Sequence, residues 1–170
     1  CDVGFGVALK GGDVDVLHRD YLLPVASTEN AARLEGLPTD RALEGFPLLH
    51  IDAYTAQSGD MGWPEWFRQF GHRRTGLSRG VRYQWVLQAM EAVRADAGFM
   101  LCGLSLVQAE VARGSLLTPF GIKEGCWAKR PFEARFRSAS LKRSALAHFR
   151  DWLLTEARAT DDVLARTINS

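Results

Sequence analysis

Histidine, cysteine, serine and the carboxylates are the side chains that could carry chemistry here, and their spacing argues against most of it. His18, His50, His72 and His148 stand far apart, with neither an HxH nor an HExxH pair, so no local metal-ligand set is read. Cys1, Cys102 and Cys126 make no CxxC, and Cys102 sits in an apolar run that suits a small core residue better than a nucleophile. Ser27, Ser78 and Ser105 lack the GxSxG elbow that would expose an activated hydroxyl. Aspartates and glutamates fall on solvent-facing positions of helices and loops. Gly4-Phe5-Gly6 shares the start of a dinucleotide fingerprint, but the third glycine and the following helix are missing, and Lys10-Gly11-Gly12-Asp13 reads as a turn. No catalytic group, metal or cofactor is expected.

One stretch offers a polar focus. Tyr21-Leu22-Leu23-Pro24-Val25-Ala26 is an apolar run suited to a strand buried on both faces. It stops at Ser27-Thr28, either of which can cap a helix continuing through Glu29-Asn30-Ala31-Ala32-Arg33-Leu34. A strand feeding a capped helix aims free backbone N–H groups and a hydroxyl at one spot, where an anion or polar ligand could sit. A plain strand–turn–helix with no ligand fits the same residues.

Composition bounds the answer. The chain has 170 residues, long enough for one domain or two small lobes, and its 46% hydrophobic and 24% charged content is ordinary for a globular protein. A net charge of +1 gives no reason to read a nucleic-acid or membrane surface. The two dense basic clusters, His72-Arg73-Arg74 and Lys142-Arg143, read as solvated turns or helix ends. No run approaches the ~18 apolar residues of a membrane span. An odd cysteine count without paired spacing points to a reducing compartment, hence the cytoplasm. The opening, without Met or a signal peptide, starts straight into a strand, and reads as a fragment of something longer.

The elements follow from periodicity. Strands are expected at 2–9, 21–26, 46–51, 79–83, 98–102 and 115–120, with 14–18 as a connector. Helices are expected at 28–36, 63–70, 84–93, 104–113 and 144–157, and the tail from Thr160 as a weak or frayed helix. Trp63, Trp66, Phe67 and Phe70 share one helical face, opened by Pro64 and closed by Gly71. Phe132-Glu133-Ala134-Arg135-Phe136-Arg137 alternates at period two, a half-exposed strand. Alternating strands and helices give an α/β class with mostly parallel pairing, and the run ending at Pro119 is expected beside the one holding Pro24.

The order of these pieces resembles the effector-binding domain of LysR-type transcriptional regulators, in the branch that includes the glycine-cleavage activators. The likeness runs through Asp2-Val3-Gly4-Phe5, Leu22 to Ser27, Leu48-Leu49-His50, Trp63-Pro64-Glu65-Trp66-Phe67 and Arg79-Gly80-Val81-Arg82-Tyr83. It continues through Gly98-Phe99-Met100-Leu101, Gly114 to Gly121 and Phe149-Arg150-Asp151-Trp152-Leu153, nearly the whole chain.

The resemblance implies a two-lobed type 2 periplasmic-binding-protein-like fold with an incomplete first lobe. Crossover strands would be 22–26 and 116–120. The division would be 1–26 for part of the first lobe and the first crossover, 27–116 for the second lobe, 117–158 for the return, and 159–170 for a tail. It implies a small-molecule effector touching Gly6, Val7, Ser27, Thr28, Tyr83, Gln84, Trp85, Phe99 and Met100. Gly6 stands where that branch often has an arginine, and Thr28 where proline is common. For Trp85 and Met100, large and apolar, core packing is the simpler expectation. Further implications are DNA binding through a helix-turn-helix upstream of this chain, a homodimer or homotetramer, and no membrane and no catalysis. An extracytoplasmic solute-binding protein of the same architecture is the alternative.

Overall fold

Seven consecutive uncharged residues make the strand on which the larger half of the molecule is built. The computed structural model describes residues 2–5, 12–52 and 61–169, and divides the chain into two compact units, Tyr21–Lys129 and Cys1–Asp20 with Arg130–Ser170.

The larger unit contains β3 (Tyr21–Ser27), β4 (Leu48–Ile51), β5 (Val81–Tyr83), β6 (Phe99–Gly103), β7 (Leu116–Leu117) and β8 (Cys126–Trp127), after β1 (Val3–Phe5) and β2 (Asp13–His18) of the smaller one. The sheet order is β5-β4-β6-β3-β7, with β8 also on β3. Every residue of β3 is buried. One edge of β3 pairs β6, Leu22 opposite Gly103 and Val25 opposite Met100; the other takes β8 at Tyr21–Leu22 and β7 at Ala26–Ser27. Pro24 falls opposite the gap between β8 and β7, where a residue without an N–H removes no ladder bond. Leu116–Leu117 pair beside β3 as expected, but the strand expected over 115–120 stops there, and Pro119–Phe120 form a turn.

The expectation of mostly parallel pairing is corrected. Among the described residues only β4 with β5 and β4 with β6 run parallel; β3 meets its neighbours antiparallel. A strand buried on both faces reads alike in either direction, because the burial comes from helices and neighbours and not from strand polarity.

Helices cover this sheet. Ser27 caps α1 (Thr28–Ala32), its Oγ accepting from the Asn30 N–H at 3.2 Å. Turns carry the chain on to Gly36, so the helix is shorter than the 28–36 expected. Asn30 is buried and donates to the Asp96 carbonyl at 2.9 Å, tying α1 to the turn before β6. α2 (Trp63–Phe70) begins with Pro64 in its first turn and ends at Gly71, whose φ is 86°. Its aromatic face is the heart of the core, where Trp63, Trp66 and Phe67 meet Ala26, Leu43, Leu48, Phe99 and Leu101. α3 (Val86–Arg94) buries Ala89, Met90 and Val93. α4 (Leu104–Arg113) follows β6 without a loop and closes at Gly114 in the left-handed conformation.

His72-Arg73-Arg74 is not a solvated turn. The His72 ring is buried between Trp66 and Phe120, at centroid distances of 5.3 and 4.1 Å. Arg73 Nη1 donates to the carbonyls of Leu43 and Phe46. Only Arg74 lies on the surface, paired with Asp40 at 2.7 Å. A charge run seen in sequence cannot tell a solvated guanidinium from one spent on buried carbonyls.

The smaller unit is an antiparallel three-stranded sheet, β1-β9-β2, with β9 (Phe132–Phe136) central. Residues 14–18, expected as a connector, belong with Asp13 to a full strand along β9. The alternation in β9 holds, with Ala134 and Phe136 buried. α5 (Ser144–Asn169) runs unbroken through the tail expected to fray. Ala157 and Leu164 are buried, seven residues apart, which keeps one stripe of the helix anchored past Ala157.

Candidate functional site

The register of the sheet divides the expected effector residues between two edges. β4, β5 and β6 are parallel, with Leu48 beside Phe99 and Ile51 beside Tyr83, so their carboxyl ends share one edge. In open α/β sheets this edge is where ligands sit, because chain turns outward there and helix N-termini point back at it. Beyond Ile51, Tyr83 and Gly103 come Asp52, Gln84-Trp85 and the start of α4.

Each position there follows from local sequence. Trp85 is the N-cap of α3, extended at φ −117° and ψ 136°, with no side-chain cap of its own. A bulky aromatic at a cap cannot fold back on the helix, so the ring projects outward, 57% exposed. Core packing, the simpler expectation for Trp85, is therefore corrected. Gly103 is the N-cap of α4, again with no side-chain cap. Asp52, just past the end of β4, pairs at 2.5 Å with Arg82, the middle residue of the neighbouring β5. Their exposure makes this pair worth little to stability and open to exchange for a ligand. Beneath them His50 is buried, its Nε2 3.4 Å from the Arg79 carbonyl oxygen, and burial pushes its imidazole below the usual histidine range. Trp63 donates its indole N–H to the Leu49 carbonyl at 3.0 Å, fixing α2 against β4.

The structure brings Tyr83, Gln84 and Trp85 together at this edge. Phe99 and Met100 lie fully inside the sheet, at the opposite, amino-terminal end of β6. Ser27 and Thr28 lie at that opposite end too, since Val25 pairs Met100. Four residues of strand separate the level of Ser27 from that of Tyr83, roughly 13 Å. The Ser27 hydroxyl accepts from the α1 backbone. Thr28 instead borders an open hollow of about 350 Å³ with Ala31, Ala32, Glu35, Val111, Leu117, Thr118 and Pro119. Gly6 and Val7 lie outside the described residues. Asp52 and Arg82 were not singled out in the sequence; Asp52 directly follows β4, and Arg82 is the middle residue of β5. No group of three metal-ligating side chains occurs among the described residues.

Comparison with known proteins identifies the fold. The effector domain of the transcriptional regulator AmpR of Pseudomonas aeruginosa is similar with a TM-score of 0.68 and 27% identity, over 96% of this chain and 74% of that one. The chain carries the fold of LysR-type effector-binding domains. The regulatory domain of CrgA, a LysR-type transcriptional regulator from Neisseria meningitidis, shares that LysR-type fold at a TM-score of 0.64 and 16% identity, over 92% of this chain and 75% of that one. In sequence the chain is similar to the glycine cleavage system transcriptional activator of Escherichia coli (strain K12), 25% identical over 149 residues. That match takes in 88% of this chain and 46% of the relative, so the chain spans about half the length of that curated relative. No protein-family model matches the chain. No helix among the described residues is long and apolar enough to cross a membrane.

Proposed function

We propose that this chain is the effector-sensing regulatory part of a LysR-type transcriptional regulator, without catalysis of its own and working in the cytoplasm. The observation that carries the reading is the likeness to the AmpR effector domain over 96% of the chain, in sequence as well as fold. In this reading a small molecule sits at the carboxyl edge of β4, β5 and β6, against Tyr83, Gln84 and Trp85. The starts of α3 and α4 and the Arg82–Asp52 pair complete the surroundings. The segments 22–26 and 116–120 are the two crossovers, the larger unit is the second lobe, and the smaller unit, 1–20 with 130–170, belongs to the first. DNA is read by a helix-turn-helix elsewhere in the whole protein, which works as a dimer or tetramer. The effector controls transcription by binding one arrangement of the regulator more tightly than another, since a ligand without that preference shifts nothing.

The test uses the full-length regulator and DNA from upstream of its own gene. Footprinting with and without a panel of small metabolites should reveal one that changes the protected region, and Trp85→Ala should abolish that change while leaving DNA binding intact. Protein that binds this DNA no better than a scrambled sequence would sink the regulator reading.

A further inference from the structure

We infer that His72 and Glu124 share one proton, and that this proton closes a clasp joining three segments of the larger unit. The geometry starts at the buried ring of His72, whose side chain is 2% exposed. Its Nδ1 lies 2.8 Å from the Thr39 carbonyl oxygen, and its Nε2 lies 2.5 Å from Glu124 Oε2. Both partners are acceptors, and a neutral imidazole has a single N–H. One ring nitrogen would therefore meet an acceptor with its own lone pair unless a further proton lies between Nε2 and Oε2. That proton makes the contact a charge-assisted or shared hydrogen bond, the short, strong kind.

The surroundings give it no competitor. Trp66 stacks on one face of the ring, at 20° between planes, and Phe120 packs close by. Trp66 also donates its indole N–H to the Glu124 carbonyl at 2.7 Å, holding the glutamate in place from α2. From the 39–41 turn the ring meets only a carbonyl; Asp40 pairs with Arg74 and Arg41. On the ring's own strand of chain, Arg73 is spent on Leu43, Phe46 and Thr75 carbonyls, and Glu44 is held by the backbone of Arg74 and Thr75. From the 122–124 turn, Lys123 is exposed and Glu124 alone reaches the imidazole. The clasp thus ties the 39–41 turn, the end of α2 and the segment after β7. It is independent of the effector reading, because it involves none of the residues at the carboxyl edge.

Nitrogen-15 NMR of selectively labelled histidine on the 170-residue chain tests it, comparing wild type with Glu124→Gln. Wild type should show a slowly exchanging downfield proton at each ring nitrogen of His72. The glutamine amide can donate to Nε2, so the variant should keep only the proton on Nδ1. A single ring proton in wild type, or two in the variant, would overturn the shared proton.

Discussion

Arg150 grips Asp15 with two nitrogens at once, Nε to Oδ2 at 2.6 Å and Nη2 to Oδ1 at 2.7 Å, and so pins α5 to β2. The carboxylate lies mostly out of solvent, and its hydrogen bonds raise the Arg150 guanidinium above the ordinary arginine range. A fork of this kind depends on a planar guanidinium, which lysine cannot reproduce. Arg150→Lys should therefore destabilise the smaller unit by about 1–2 kcal/mol. Denaturant melts read at α5 check this; a change no larger than that of a surface Arg→Lys control would remove the fork from the account.

A second pin of the same unit is set by acid. Ser140 Oγ donates to Asp2 at 2.6 Å and Arg143 pairs with it at 2.7 Å, and together they lower its carboxyl from 3.8 to about 2. The folded value lies below the unfolded one, so the contribution is complete above about pH 4 and is lost as pH falls through about 2. Carbon-13 detected titration of the Asp2 carboxyl should show this low midpoint. Ser140→Ala should move it upward, and a midpoint unmoved by the change would assign the shift elsewhere.

Ser27 and Trp85 separate stability from binding. Ser27→Ala removes the cap of α1 and should cost about 1 kcal/mol, leaving effector affinity unchanged. Trp85→Ala, at an exposed cap, should change stability by no more than about 0.5 kcal/mol and weaken the effector tenfold or more. Calorimetric titration of both variants is decisive: a weaker effector with Ser27→Ala and an unchanged one with Trp85→Ala would reverse the assignment of the two edges.

Gly125 lies against Tyr21, and a Cβ there would collide with the phenol ring and crowd the Leu22 carbonyl. The Tyr21 hydroxyl donates to the Ile122 carbonyl at 3.0 Å, so the ring has little freedom to retreat. Gly125→Ala should cost about 1–3 kcal/mol through overpacking. Thermal unfolding checks it, and a melting temperature equal to wild type would mean that β8 can shift away.

Much of the fold was legible because it rests on local pattern. The Trp63-to-Gly71 helix, the Gly114 stop and the alternation at Phe132–Phe136 each follow from chemistry a few residues long. Strand direction was not, because Leu22, Leu23 and Val25 look the same whichever way a neighbour runs. Nor was burial of His72, which depends on Trp66, Phe120 and Glu124 arriving from α2 and from beyond β7. Tyr83, Gln84 and Trp85, singled out through the family resemblance, fall together where β5 runs into α3. Ser27 has the same local signature but stands at the other end of the sheet, a fact held only in the pairing of Val25 with Met100.

The complete burial of β3 bears on how this domain can move. An amide in that strand can meet solvent deuterium only when β6 on one side, or β7 and β8 on the other, have come away, so its protons should be the last to exchange. A strand with that property does not melt to pass on a message.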